Sequence, residues 1–166
     1  MGIEDKLVEG IYRAANLLLS KLVKPDVELS DVTALTEEKI DELISRFGIK
    51  GIILDIDDTM RKNMKSIPKC NQEWLSMISS RLKVIVVSNG TDKDIESYLK
   101  TQGIDYIGFA YKPLKANFKK ACKKLDLKPE EILVIGDQLF EDIHGGKRNN
   151  MRTAIVKNVK EDREDD

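Results

Sequence analysis

The chain has 166 residues, of which 41% are hydrophobic and 34% charged, with a formal net charge of −1. That is enough for one domain with a real core, and the balanced charge gives no global attraction to nucleic acid. Cys70 and Cys122 lack metal-site or redox-pair spacing and fit reduced thiols in the cytoplasm. No apolar run predicts a membrane span, and Glu4 and Asp5 do not suit a leader peptide.

In chain order, residues 3–23 predict an amphipathic helix, because Ile3, Leu7, Ile11, Ala14, Leu18 and Leu22 recur every three or four residues. Its apolar arc is wide and its polar strip, with Glu9, Arg13 and Asn16, is narrow. The helix is expected to pack on its own core. A subunit interface, as in a homo-oligomer, or a membrane surface would also cover it. Residues 1–24 therefore form an N-terminal helical segment. The main domain covers 25–157, and 158–166 form a solvated acidic tail.

Residues 25–35 read as a linker wrapping onto the core. Thr36 starts a helix that Gly48 closes. Strands at 51–56, 83–87, 104–109, 131–135 and 152–156 then alternate with helices at 71–81, 91–102, 113–125 and 138–148. The alternation predicts an α/β fold: a doubly wound, Rossmann-like parallel sheet of five strands with helices on both faces.

Four motifs follow successive strands: Asp55-Ile56-Asp57-Asp58-Thr59, then Ser88-Asn89, then Lys112-Pro113, then Gly136-Asp137 with Asp142 behind it. Ligands bind an open parallel sheet along the carboxyl ends of its strands, so these residues should converge. Together they suit a phosphoryl group and a divalent cation. Asp55 would attack phosphorus and become an aspartyl phosphate. Asp57 would protonate the leaving oxygen and then activate water. Mg²⁺ favours oxygen ligands, here Asp55, the backbone carbonyl of Asp57, and Asp137. Asp142 would support the metal waters or Lys112. Ser88, Asn89 and Lys112 would bind the phosphoryl oxygens, as would Thr59, with help from backbone N–H groups near Asn89 and Gly90, opening the next helix. The loop 60–70 carries Arg61, Lys62, Lys65 and Lys69 and no acid. It is expected to overhang the site, with Arg61, Lys62 and Lys65 as candidate substrate contacts.

These four motifs, in this order, resemble those of the haloacid dehalogenase (HAD) superfamily of phosphatases, subfamily IIIA. The segments 48–51 and 136–148 resemble its YqeG-like branch, which is related to phosphatidylglycerophosphate phosphatases. The resemblance implies a Mg²⁺-dependent phosphomonoesterase, with a phosphorylated lipid headgroup as one substrate class and a soluble sugar or nucleotide phosphate as another. Met60, Gly90 and Glu141 stand where the branch usually has leucine, asparagine and threonine, and Ile56 where the lipid-phosphate relatives tend to have lysine. Only 28 residues separate Thr59 from Ser88, and 23 separate Ser88 from Lys112. Neither gap holds the cap domain common in the superfamily, so the site should be open. A cytoplasmic enzyme, peripheral at a membrane if its N-terminal helix binds there, is the resulting expectation. A signalling receiver domain uses similar groups, but there the acidic pair precedes the phosphorylated aspartate. A catalytically silent scaffold is the remaining alternative.

Overall fold

The computed structural model describes residues 2–163. Its centre is a parallel sheet of six strands: β1 (Val27–Leu29), β2 (Gly51–Leu54), β3 (Lys83–Val87), β4 (Asp105–Ile107), β5 (Ile132–Gly136) and β6 (Arg152–Val156), in the order β1-β6-β5-β2-β3-β4. The strand beyond the expected five is β1, inside the segment read as a linker. Three residues are too few for a periodic signal, yet Val27 and Leu29 are buried and pair with Ala154 and Val156. Asp26 fastens its start, accepting hydrogen bonds from Lys147 Nζ at 2.9 Å and Thr153 N–H at 2.9 Å.

The helices are α1 (Ile3–Leu22), α2 (Glu37–Phe47), α3 (Lys69–Arg81), α4 (Lys93–Thr101), α5 (Lys115–Leu125) and the short α6 (Gly145–Arg148). Thr36 Oγ1 accepts the Lys39 N–H at the start of α2, and Gly48 closes it at a φ of 70°. Side chains alternate across a strand, so the apolar strands feed two layers. Ile52, Leu54, Val84 and Val86 pack with Leu43, Trp74, Leu75 and Leu99 on one face. Ile53, Ile85, Ile132 and Val134 pack with Phe118, Ala121 and Leu125 on the other. The expected helix over 138–148 is instead a π-helical stretch (Leu139–His144) running into α6. The tight return buries Ile143 and brings Asp142 back toward Gly136.

Two further expectations change. No residue of α1 is buried, and Asn16 and Leu19 are its least exposed described residues. The apolar arc therefore does not pack on the chain's own core. Ile3, Leu7, Ile11, Leu18 and Leu22 point outward, each at least 60% exposed. In the tail, Asp162 accepts the backbone N–H groups of Lys69 and Cys70, at 2.7 and 2.8 Å, capping α3. Glu164, Asp165 and Asp166 lie outside the described residues. The buried Asn71 ties these parts together, donating from Nδ2 to the carbonyls of Met60 and Lys160.

Candidate active site

The register of the two central strands builds the site. Leu54 stands beside Ile135, and the ladder continues for one more bond, from Asp55 N–H to the Ile135 carbonyl. Asp55 and Gly136 thus end neighbouring strands. Lys112 arrives from beyond β4, but not directly from a strand as the sequence suggested. A loop over 108–112 carries it, with Phe109 and Tyr111 both exposed and at positive φ, 48° and 50°. Such backbone is unfavourable for bulky residues. Asn89 Oδ1 accepts the Lys112 N–H at 2.6 Å and fixes the loop's end.

Lys112 Nζ lies 2.9 Å from Asp55 Oδ1 and 2.6 Å from Asp142 Oδ1, with all three side chains buried. Thr59 Oγ1 lies 3.1 Å from Asp55 Oδ2 and 3.4 Å from Asp137 Oδ1. Gln138 donates its N–H to Asp142 at 3.2 Å and its Nε2 to Asp137 at 3.0 Å. Gly136 is required here, because a Cβ on it would collide with the Asp142 carboxyl carbon.

Carboxylate oxygens of Asp55, Asp137 and Asp142 all lie within 4.8 Å of one another. Burial opposes the charge on Lys112, but the Asp142 and Asp55 carboxylates outweigh it and keep the ammonium protonated. Burial, with Asp55 and Asp142 adding to it, pushes Asp137 up to about 8. Fully ionised, three carboxylates against one ammonium would leave a formal surplus of two negative charges, and the proton held on Asp137 relieves part of it. A hard divalent cation with oxygen preference fits that surplus and donor set.

Other predicted residues fall differently. Asp57 lines the cleft beside Asp55, and its carboxylate is held by Arg61 Nε at 2.9 Å. Arg61 is only 3% exposed and reaches on to Asp92 at 2.9 Å. Two acids draw it inward, so it anchors the turn and is not free to contact substrate. Lys62 and Lys65 border a separate depression with Glu161 and Asp162, so the basic loop does not overhang the cleft. Thr59 is fully buried beneath the cleft, its hydroxyl committed to carboxylates. Ser88 and Asn89 line the cleft. Gly90 lines it too, while the N–H groups of Asp94 and Ile95 that open α4 are capped by Asp92 Oδ1.

The cleft holds about 430 Å³ and is walled on one side by Glu9, Tyr12, Arg13 and Asn16 of α1. The polar strip of that helix faces the site. Tyr12 Oη donates to Glu141 Oε1 at 3.3 Å, joining α1 to the π-helical stretch. Sequence reasoning missed these residues. Their signal was the narrow polar strip itself, which periodicity identifies without saying which way it faces.

A sheet-edge site of this kind on a doubly wound parallel fold defines the phosphatases of the HAD superfamily, and the chain belongs to that superfamily's YqeG-like family. The Bacillus subtilis (strain 168) protein named "Probable phosphatase YqeG" is 33% identical over 141 residues, covering 84% of this chain and 80% of that one. Residues 110–166 match the family of HAD-hydrolase-like proteins. A glyceraldehyde 3-phosphate phosphatase from Pyrococcus furiosus is 46% identical over 46 residues, which is 28% of this chain and 19% of that enzyme. Among solved structures, an uncharacterized protein from Listeria monocytogenes serotype 4b matches with a TM-score of 0.56 at 17% identity, covering 69% of this chain and 84% of its own. A hypothetical protein from Xanthomonas campestris matches with a TM-score of 0.55 at 14% identity, covering 74% and 70%. These two share the fold. The protein is therefore an enzyme, a phosphatase of the HAD family. Among the described residues no helix is long and apolar enough to cross a membrane.

Proposed function

We propose that the enzyme hydrolyses phosphate monoesters through an aspartyl phosphate on Asp55, with Mg²⁺ as its metal. The observation that carries this reading is the bridge of Lys112 between Asp55 and Asp142, with Asp137 beside it, at the floor of an open cleft. An Asp55 oxygen forms a bond to phosphorus as the ester oxygen leaves, and Asp57, carrying a proton on the carboxyl oxygen that Arg61 does not engage, gives it to that oxygen. Asp57 then takes a proton from water as that water attacks the aspartyl phosphate, releasing inorganic phosphate and restoring Asp55. Lys112 holds Asp55 in place, and Asn89 holds Lys112. Ser88 and Asn89 contact the phosphoryl oxygens. Asp55, Asp137 and the Asp57 carbonyl would hold Mg²⁺, which when bound supplies positive charge against the phosphoryl oxygens.

For substrate, we favour a phosphorylated lipid headgroup such as phosphatidylglycerophosphate over a soluble sugar or nucleotide phosphate. Support comes from the outward apolar residues of α1, the helix that also walls the cleft. Such a face suits the membrane interface. The test is phosphate release from a panel of monoesters, including phosphatidylglycerophosphate in detergent micelles. It is run with Mg²⁺, with EDTA and with Asp55→Asn. Metal-dependent release that disappears in the variant is expected. Equal release by Asp55→Asn would overturn the mechanism, and preference for a soluble monoester would overturn the lipid assignment.

A further inference from the structure

No cap domain is inserted, but one side of the cleft is formed by α1, joined to its far wall by the hydrogen bond from Tyr12 to Glu141 across 129 residues of sequence. Glu141, the departure from threonine noted in the sequence, is thus the attachment point of this helix. Six carboxylates line the cleft, on Glu9, Asp55, Asp57, Asp58, Asp137 and Glu141. Among the described lining residues Arg13 is the one cation, since Lys112 is buried in the floor. Glu9, one turn earlier on α1, takes a single Arg13 donor at 2.6 Å at the rim of the cleft, where the Arg13 side chain is 79% exposed. A guanidinium carries five donors, so most of the fork is left for a ligand.

We propose that α1 is a built-in helical cap and that Arg13 on it selects substrates whose leaving group carries a second anion, a carboxylate or phosphodiester. This rests on the phosphatase reading above. The reacting phosphorus must lie against Asp55 at the floor, so the cap faces the leaving group. Entry of a second anion among six carboxylates needs a local cation, and the planar fork of arginine matches carboxylate and phosphate oxygens in pairs.

The experiment compares 3-phosphoglycerate with glycerol 3-phosphate, which share the phosphoryl group and carbon chain but differ in carboxylate against hydroxymethyl. The full-length wild type, Arg13→Gln and Arg13→Lys are assayed with Mg²⁺. Where turnover is slow, each compound is measured as a competitive inhibitor of p-nitrophenyl phosphate hydrolysis. Wild type should prefer the acid. Arg13→Gln should lower that preference about tenfold, through KM and not kcat, the scale of one charge-assisted contact. Arg13→Lys should restore part of it. An unchanged ratio, or an equal loss on both compounds, would overturn the selective role of Arg13. A wild type no more active than Asp55→Asn toward all three compounds would instead overturn the phosphatase reading beneath it.

Discussion

Replacing Lys112 by methionine keeps an unbranched side chain one atom shorter and removes the ammonium with its hydrogen bonds to Asp55 and Asp142. The side chains of Lys112, Asp55 and Asp142 are 2%, 10% and 1% exposed, so water cannot replace the lost ammonium. With Asp137 holding its proton at pH 7, the formal charge on Lys112, Asp55 and Asp142 falls from −1 to −2. Removing one partner of a buried pair costs about 3–5 kcal/mol. Here one ammonium serves two acids, which puts the expected loss at the upper end. For a domain of this size that is a fall in Tm on the order of 10–15 °C. The assay is urea unfolding in EDTA at pH 7. Trp74 is the chain's one tryptophan, buried with its indole N–H on the Leu35 carbonyl, and its fluorescence follows the transition. Adding Asp142→Asn to Lys112→Met removes one stranded charge with little change of shape and should recover about 1–2 kcal/mol. A Lys112→Met protein within about 1 kcal/mol of wild type would refute the view that this lysine compensates the buried acids.

Gly136→Ala should drive Asp142 off Lys112, lowering phosphate release about 100-fold while far-ultraviolet circular dichroism stays that of a folded α/β protein. Burial opposes ionisation of Asp26, but Lys147, the Thr153 N–H and Arg152 outweigh it and hold the carboxyl below its ordinary value. Its depressed value makes the stabilisation present above the unfolded value of 3.8 and lost as pH falls through the folded one. Asp26→Asn should therefore cost about 1–2 kcal/mol at pH 7, and denaturation measured at falling pH should show the gap to wild type closing in acid. Asp162→Ala should speed amide hydrogen exchange at Lys69 and Cys70, the donors it caps, and leave the N–H groups capped by Asp92 on α4 unaffected.

The strand ends were legible because buried parallel strands are short apolar runs, and Asp55, Ser88 and Asp137 each follow one directly. Asp55 and Asp137 meet for that reason, while Lys112 and Asp142 reach them through the loop over 108–112 and the π-helical return. What stayed hidden depends on three-dimensional competition for partners. Val27–Leu29 becomes a strand only because β6 offers an edge. Arg61 looked like part of a solvated basic loop, yet Asp57 and Asp92, four and thirty-one residues away, pull it inside. The pattern of α1 revealed both faces but not their directions. Its polar face meets a polar cleft, while its apolar face finds no cover among the described residues of the same chain.

Asn71 joins the turn after Asp55 to a segment that lies 89 residues beyond Asn71 itself, through the carbonyls of Met60 and Lys160. During synthesis, a nascent chain whose β6 has just left the ribosome has every strand of the sheet but lacks this clamp on the turn. The turn gains its full support only when residues 160–162 have emerged. A protease or a bulky fusion acting at that distant segment would thus act on the turn beside the cleft without touching a residue that lines it.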